Sequence, residues 1–566
     1  MTVVVGINMS NHPETGKPTA DGGVAIAIDN VVRYACAEER VSRLKYDGGF
    51  QRSLRNGMDA LGITTDAIDV VGLVGFGQQV GAELPSYLAN EVRAEVGKQG
   101  RLGYCSSHHE GHAWAAIGQL SLKDALVVVI DHSGSVIESA KGGLDDARVE
   151  QTSYYLWRDN CLKLVSRDHD APGEIGYGRF YSKVTRYVGF GSYHDAGKMM
   201  GLAPFGARER IGLLPLAFES KGGRETTAVT DDVYSEDGLV DLSIWLRDHG
   251  STHPYLKAWD FGDITAEGAD LAAWGQLSLE SSVLRRVRPL VKEYAPAHVI
   301  VCGGVALNSV LNGLLARELT SDVRIPDSPG DAGLSVGALQ FALRSTGNEL
   351  LSGFTPYIGR QYTADEVQAA LSSLHSDDYM VVKLDNPISA AADALAQGQV
   401  IGWFRGRSEF GPRALGNRSI LCAASNPWIK EKVNGFVKKR EWFRPFAPAV
   451  LAERADDYFE MGGSDSPYMM KTVFARADRK HEIPSAVHVD GTARVQTVSL
   501  EDNADFHALI AAYERRTGIP VLMNTSFNEG GMPLIETPGD AVKAFVSFGA
   551  GMDRLYGENY EIRRAN

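Results

Sequence analysis

The five cysteines (Cys36, Cys105, Cys161, Cys302 and Cys422) contain no C-x-x-C pair and are odd in number. That excludes a disulfide framework and a thiolate zinc site, and leaves them as small buried residues. No apolar run approaches the roughly 20 residues needed to span a bilayer. The start, MTVVVGINMS, lacks the basic residues and long apolar stretch of a secretion signal, so a cytoplasmic protein with no membrane partner is expected. A P-loop of the form G-x-x-x-x-G-K-[ST] is missing, so any nucleotide must be held by another design. The protease motif H-E-x-x-H is missing too: counted from His109 and Glu110, its second histidine would fall on Ala113. Nor is there an excess of positive charge. With 57 Lys and Arg against 71 Asp and Glu the net charge is -14, which argues against a nucleic-acid partner.

What is abundant is glycine, 61 copies in 566 residues, against a usual share of about 7%. Such an excess suits tight turns and backbone that must approach a ligand closely. The length exceeds one ordinary core and predicts about two to four domains. Short β-branched runs end abruptly in Gly, Asn or Asp: VVVGIN after Thr2, ALVVVIDHSG around Asp131, and HVIVCGG ending at Gly304. Strands running into Gly-rich turns and then helices, such as the Leu-rich stretch 269–294, predict an α/β architecture with ligands at strand ends. The connector STGNELLSGFTP (345–356) divides the chain into an N-terminal region, 1–350, and a C-terminal region, 356–566.

His108 and His112 stand at i, i+4, which places both imidazoles on one helix face. Asp131 ends the strand ALVVVI, and Asp331 sits in the loop SPGDAG before another helical stretch. Together they would form a mixed nitrogen and oxygen donor set suited to Fe(II), Mn or Zn. Spacing alone does not bring them together. Alone, Asp331 reads as a helix cap and Asp131 as a turn residue.

Between Arg405 and Arg444 ten basic residues face three acids, a local excess of cations that anionic ligands would neutralise. RGRSEFGPRALGNRS mixes Arg with Gly and Pro, so guanidinium forks and backbone amides can converge on phosphate or carboxylate oxygens. Further on, Arg494 lies in an apolar context, and Asn524, Thr525, Ser526 and Asn528 follow a strand. Their amides and hydroxyls suit a ribose, an adenine edge or a carbamoyl group.

These blocks, with GKMMGLAPFG (197–206), VCGGVALNSVLNG (301–313), PGDAGLSVGA (329–338), REWFRPFAPAVL (440–451), HVDGTARVQTV (488–498) and NTSFN (524–528), resemble the nodulation and tobramycin O-carbamoyltransferase family over nearly the whole chain. The resemblance implies an N-terminal actin and sugar-kinase-like (ASKHA) duplicated domain followed by a YrdC-like α/β domain. It further implies that carbamoyl phosphate and ATP, the latter with Mg, yield carbamoyladenylate in the C-terminal domain. The carbamoyl group then passes in the N-terminal domain to a hydroxyl of a small molecule such as an antibiotic, sugar or other natural product. By the same resemblance His108, His112, Asp131 and Asp331 are the ligands of a metal, usually Fe(II). Gly303, Gly304 and Asn308 are nucleotide contacts, and Lys198 touches phosphate or carbamoyladenylate. Arg413, Lys438, Arg444, Arg494, Asn524 and Ser526 bind carbamoyl phosphate and ATP, with His108, His112, Lys198 and Arg444 carrying the chemistry.

The chain departs from the family at two places. His12 and Asp21 are separated where relatives read H-D, and DHSGS stands for D-G-x-G-E, with His132 for Gly and Ser135 for Glu. The alternatives weighed are a tRNA-modifying threonylcarbamoyl transferase, disfavoured by the acidic charge, and a non-enzymatic actin-like ATP switch, which leaves the basic cluster without a purpose.

Overall fold

The computed structural model describes residues 1–10, 21–75, 77–97, 100–139, 147–168, 174–207, 216–221, 224–227, 259–260, 263–347, 351, 354–374 and 377–565. His12 lies outside them. The chain divides into two compact units, one of Met1–Met9, Pro18–Asp69 and Gly353–Asn566, the other of Ser10–Lys17 and Val70–Ser352.

In the second unit the run ALVVVI forms a strand, Ala125–Ile130, with every residue buried. It pairs in parallel with His298–Cys302 and antiparallel with Thr152–Arg158. The sheet order is Cys161–Asp168, Thr152–Arg158, Ala125–Ile130, His298–Cys302, Asp322–Arg324. A central strand covered on both faces loses the alternation of a half-exposed one, which is why this run is uninterrupted. The helix His108–Leu120 starts at Ser107, whose side chain accepts from the Glu110 N–H. Small residues on its inner side let it lie close to a second helix, Leu334–Ser345: a Cβ on Gly337 would meet the Gly111 carbonyl oxygen at 2.2 Å. The strand expected at Asp131 and the helix expected after Asp331 are both present. The predicted helix over 269–294 is observed as Ala266–Tyr294.

In the first unit, eight strands form a mixed sheet. At its centre Ile401–Phe404 runs antiparallel to Arg418–Ala423, which runs antiparallel to Val521–Ser526. The period of two is visible in the packing: Leu421 and Ala423 join the cluster under the helices Pro387–Ala396 and Ala504–Thr517, while Ile420 and Cys422 join the one beneath Pro538–Phe548.

The same unit includes three N-terminal antiparallel strands, Val3–Asn8, Gly23–Ile28 and Val31–Ala37. The second and third turn through Asp29 and Asn30, both at positive φ (50° and 63°), the backbone of a tight hairpin. The packing thus differs from a single region running to residue 350, and the reason is polar as well as apolar. Arg40, buried on the short helix Glu38–Ser42, donates to the Gly411 carbonyl (2.8 Å), and Arg43 donates to the carbonyls of Pro533 (3.0 Å) and Leu534 (2.6 Å). The Ala35 N–H donates to Ile358 O (3.2 Å).

Four cysteines are buried as expected, but Cys161 is exposed. It opens the edge strand of its sheet, where one flank has no hydrogen-bonded strand among the described residues. No helix among the described residues is long and apolar enough to cross a membrane.

Candidate metal centre and anion site

The helix start, the strand end and the loop after Pro329 converge. His108 Nε2 lies 3.2 Å from His112 Nε2 and 3.2 Å from Asp131 Oδ2. Asp331 Oδ1 is 3.4 Å from His108 Nε2 and 3.3 Å from His112 Nε2, and His112 Nε2 is 3.0 Å from Asp131 Oδ2. One ligand atom from each of the four residues falls within 4.8 Å of all the others. Donors about 2.0–2.1 Å from a tetrahedral ion would be about 3.3–3.4 Å apart, so the spacing fits a divalent cation. The imidazoles are enclosed, whereas the Asp331 side chain is 21% exposed, so the cluster meets solvent on the Asp331 side. Burial opposes charge on His108, yet the Asp331 and Asp131 carboxylates outweigh it and lift the imidazole to about 10. The same pairing draws Asp331 down to about 2 against the effects of burial and of Asp131.

Gly303 and Gly304 sit where the neighbouring strand ends beside Asp131. Gly303 has φ +87°, and a Cβ there would meet Ile130 O at 2.4 Å, so only glycine suits it. The Gly304 N–H donates to Asp131 Oδ1 (3.1 Å). Asn308 forms a closed amide pair with Gln276, Nδ2 to Oε1 at 2.9 Å and Nε2 to Oδ1 at 3.1 Å, and its Oδ1 also caps the helix Ser309–Glu318 through the Leu311 N–H. Lys198 pairs with Asp195 (2.9 Å).

The candidate anion site, a cluster of cationic side chains, lies in the other unit. Lys438, buried at the end of a π-helical turn, Val433–Lys438, points its ammonium into oxygens of Ser526 and Asn528, among them Asn528 Oδ1 at 2.7 Å and Ser526 Oγ at 3.1 Å. Burial, then Arg440 and Arg444, push it well below the ordinary lysine range. Burial and repulsion from Arg444 lower Arg413 to about 10 and Arg440 to about 9. Arg494 is driven well down by burial and by Arg413, Arg440 and Arg444. The Nε groups of Arg413 and Arg494 are buried without a partner, as is Asn524 Oδ1, while Asn524 Nδ2 is held by Ala414 O (3.1 Å) and Gln496 Oε1 (2.9 Å). Glu441 stands 3.7 Å from Arg444. Crowded cations with buried donors left open are the electrostatic form of an anion site.

All six C-terminal residues read from the sequence come together here. Several others were not singled out. Arg440 counted only as one more base. Gln496 orients Asn524, and Glu409 closes the loop that carries Arg413: its Oε1 accepts from the N–H groups of Leu415 (2.8 Å), Asn417 (2.7 Å) and Arg418 (3.1 Å). A carboxylate two residues before G-P-R was the available signal for Glu409. Nothing local marks Gln496.

A family model described as Carbamoyltransferase N-terminus matches residues 104–340, and one described as Carbamoyltransferase C-terminus matches residues 392–564. The chain is 34% identical over 450 residues to Nodulation protein NolO of Bradyrhizobium diazoefficiens, covering 78% of this chain and 76% of the relative. To Nodulation protein NolNO of Sinorhizobium fredii it is 29% identical over 589 residues, covering 96% and 79%. Among solved structures, full-length HypF in a phosphate- and nucleotide-bound form aligns at 13% identity and a TM-score of 0.34, covering 62% of this chain and 56% of that one.

Proposed function

Because the chain belongs to the carbamoyltransferase family, we propose that it uses ATP to activate carbamoyl phosphate at the cation cluster and delivers the carbamoyl group to a small-molecule hydroxyl at the metal centre. The observation that carries this reading is the chemical contrast of the two buried clusters, one of crowded cations with open donors and one of converging imidazoles and carboxylates. The division of labour follows the two regions, 1–350 and 356–566, with Met1–Met9 and Pro18–Asp69 grouped in the compact unit of the second.

In the first half-reaction Arg413, Arg444 and Arg494 hold phosphate oxygens, and Asn524 Oδ1 accepts from the carbamoyl NH2. Atom balance requires water to release carbamate and inorganic phosphate from carbamoyl phosphate. A carbamate oxygen then attacks the α-phosphorus of ATP, and pyrophosphate leaves. Guanidinium groups fixed beforehand stabilise charge on that leaving group. In the second half-reaction the acceptor oxygen bonds to the carbamoyl carbon, the bond to AMP breaks, and the hydroxyl proton is lost. His108, His112, Asp131 and Asp331 would hold a divalent cation, with Fe(II) assigned as the occupant, that polarises the carbonyl and stabilises developing negative charge.

The test separates the two steps. His108→Ala is expected to lower acceptor carbamoylation on the order of 100-fold or more, with pyrophosphate release retained. Arg444→Ala is expected to do the reverse, and synthetic carbamoyladenylate should rescue transfer in Arg444→Ala alone. Loss of both half-reactions together in folded variants, or transfer from carbamoyl phosphate without ATP, overturns the proposal.

A further inference from the structure

Glu150 is fully buried, and no step above uses it. Its carboxylate joins two segments distant in sequence. Oε1 accepts from Ser107 Oγ (2.6 Å), and Oε2 accepts from the N–H groups of His109 (3.2 Å) and Ser135 (3.1 Å). Ser107 and His109 belong to the start of the helix that carries His108 and His112. Ser135 ends the turn that leaves Asp131. The backbone repeats the tie: Glu150 N donates to Ser135 O (3.0 Å), and Gly134 N donates to Glu150 O (2.7 Å). Ser135 Oγ in turn accepts from the His108 N–H (3.1 Å) and donates to Ser106 O (2.8 Å). The countercharge is Arg167, whose Nη2 donates to Glu150 Oε1 (2.6 Å) while its Nε donates to Ser153 Oγ (3.2 Å).

Helix capping alone does not account for this arrangement. Ser107 already accepts from the Glu110 N–H (3.0 Å), so a cap is in place without a buried carboxylate. What Glu150 adds is a bond to the other ligand-bearing segment. A buried carboxylate is costly to desolvate unless its oxygens are occupied, and here four donors from three segments occupy them.

We propose that Glu150 is a positioning residue of the metal centre: it sets the separation between Asp131 and the His108–His112 pair without touching substrate or cation. This rests on the reading of the four donors as a metal site. Residues that orient metal ligands from behind typically change metal affinity about 10–100-fold when replaced.

Glu150→Gln keeps the volume but replaces one oxygen by an NH2 group. That group must face either the His109 and Ser135 N–H groups or Arg167, so one tie breaks whichever way it turns. The test uses the full chain, stripped of metal and titrated with Co(II) against a competing chelator while the visible Co(II) absorption is followed. Wild type should bind, His112→Ala should not, and Glu150→Gln should bind about tenfold more weakly with a displaced absorption band. Glu150→Ala should be weaker still, and Glu150→Gln decides the matter if the alanine variant does not fold. A folded Glu150→Gln with wild-type affinity and an unaltered band overturns the proposal while leaving the metal reading intact. Wild-type protein that takes up no Co(II) at a His112-dependent site overturns the metal reading, and this inference with it.

Discussion

Gly111 and Gly337 meet backbone to backbone: the Cβ that Gly337 lacks would lie 2.2 Å from the Gly111 carbonyl oxygen and 3.1 Å from the Ala115 N–H. Gly111 precedes His112, and Gly337 lies six residues beyond Asp331. This close approach of the two helices therefore helps to set the distance between a histidine and a carboxylate of the same cluster. Gly337→Ala should push the helices apart at a cost of about 1–3 kcal/mol or more. Thermal melts should show a lower midpoint, and metal analysis should show substoichiometric loading. A variant with wild-type stability and full metal content contradicts this account.

Glu409 predicts a defect confined to activation. Glu409→Ala leaves the N–H groups of Leu415, Asn417 and Arg418 without their shared acceptor, at about 1–3 kcal/mol for each that stays buried. The loop bearing Arg413 loses its fixed shape, and pyrophosphate release should fall on the order of 100-fold. Transfer from supplied carbamoyladenylate should be retained, which a paired assay of the two half-reactions checks.

The depressed cations give a pH dependence. Arg440 is lowered to about 9 and Arg413 to about 10, so above about pH 9 the folded protein holds fewer protons than the unfolded chain. Stability of the ligand-free protein thus gains from these groups as pH rises, and their mutual repulsion is felt in full below about pH 9. If the cluster binds phosphates as proposed, pyrophosphate should relieve that repulsion. At a concentration 100 times its Kd at neutral pH it should stabilise the fold by about 2.7 kcal/mol there, and the same concentration should stabilise it by less at pH 10. Melts with and without pyrophosphate at both values, repeated on Arg494→Met, test the sign.

The two clusters were legible to different depths. The i, i+4 spacing of His108 and His112 implies a shared helix face, and ALVVVI implies a buried strand ending at Asp131. Their convergence with Asp331, 200 residues later, is a property of strand order, which no local pattern encodes. The basic segment points to anions through its charge, but nothing in it encodes that Lys438 is caged by Ser526 and Asn528. Nor does any local pattern encode that Asn308 has both ends of its amide bound by Gln276. Glu150 left no trace, because the groups it joins are remote in sequence and its own neighbours are ordinary strand residues. The place of Met1–Met9 and Pro18–Asp69 was hidden for a similar reason: the acceptors of Arg40 and Arg43 are backbone carbonyls, which carry no residue signature.

That placement has a consequence for biosynthesis. The strands before residue 70 leave the ribosome first, but Gly411 and Leu534, which receive Arg40 and Arg43, emerge hundreds of residues later. At about 5–20 residues per second, the N-terminal hairpins wait tens of seconds with their docking groups unmatched, while the segment Val70–Ser352 has time to assemble. Contacts of such long sequence separation are slow to close. Docking of the N-terminal strands onto the Gly353–Asn566 segment is therefore a late event, set by the emergence of that segment.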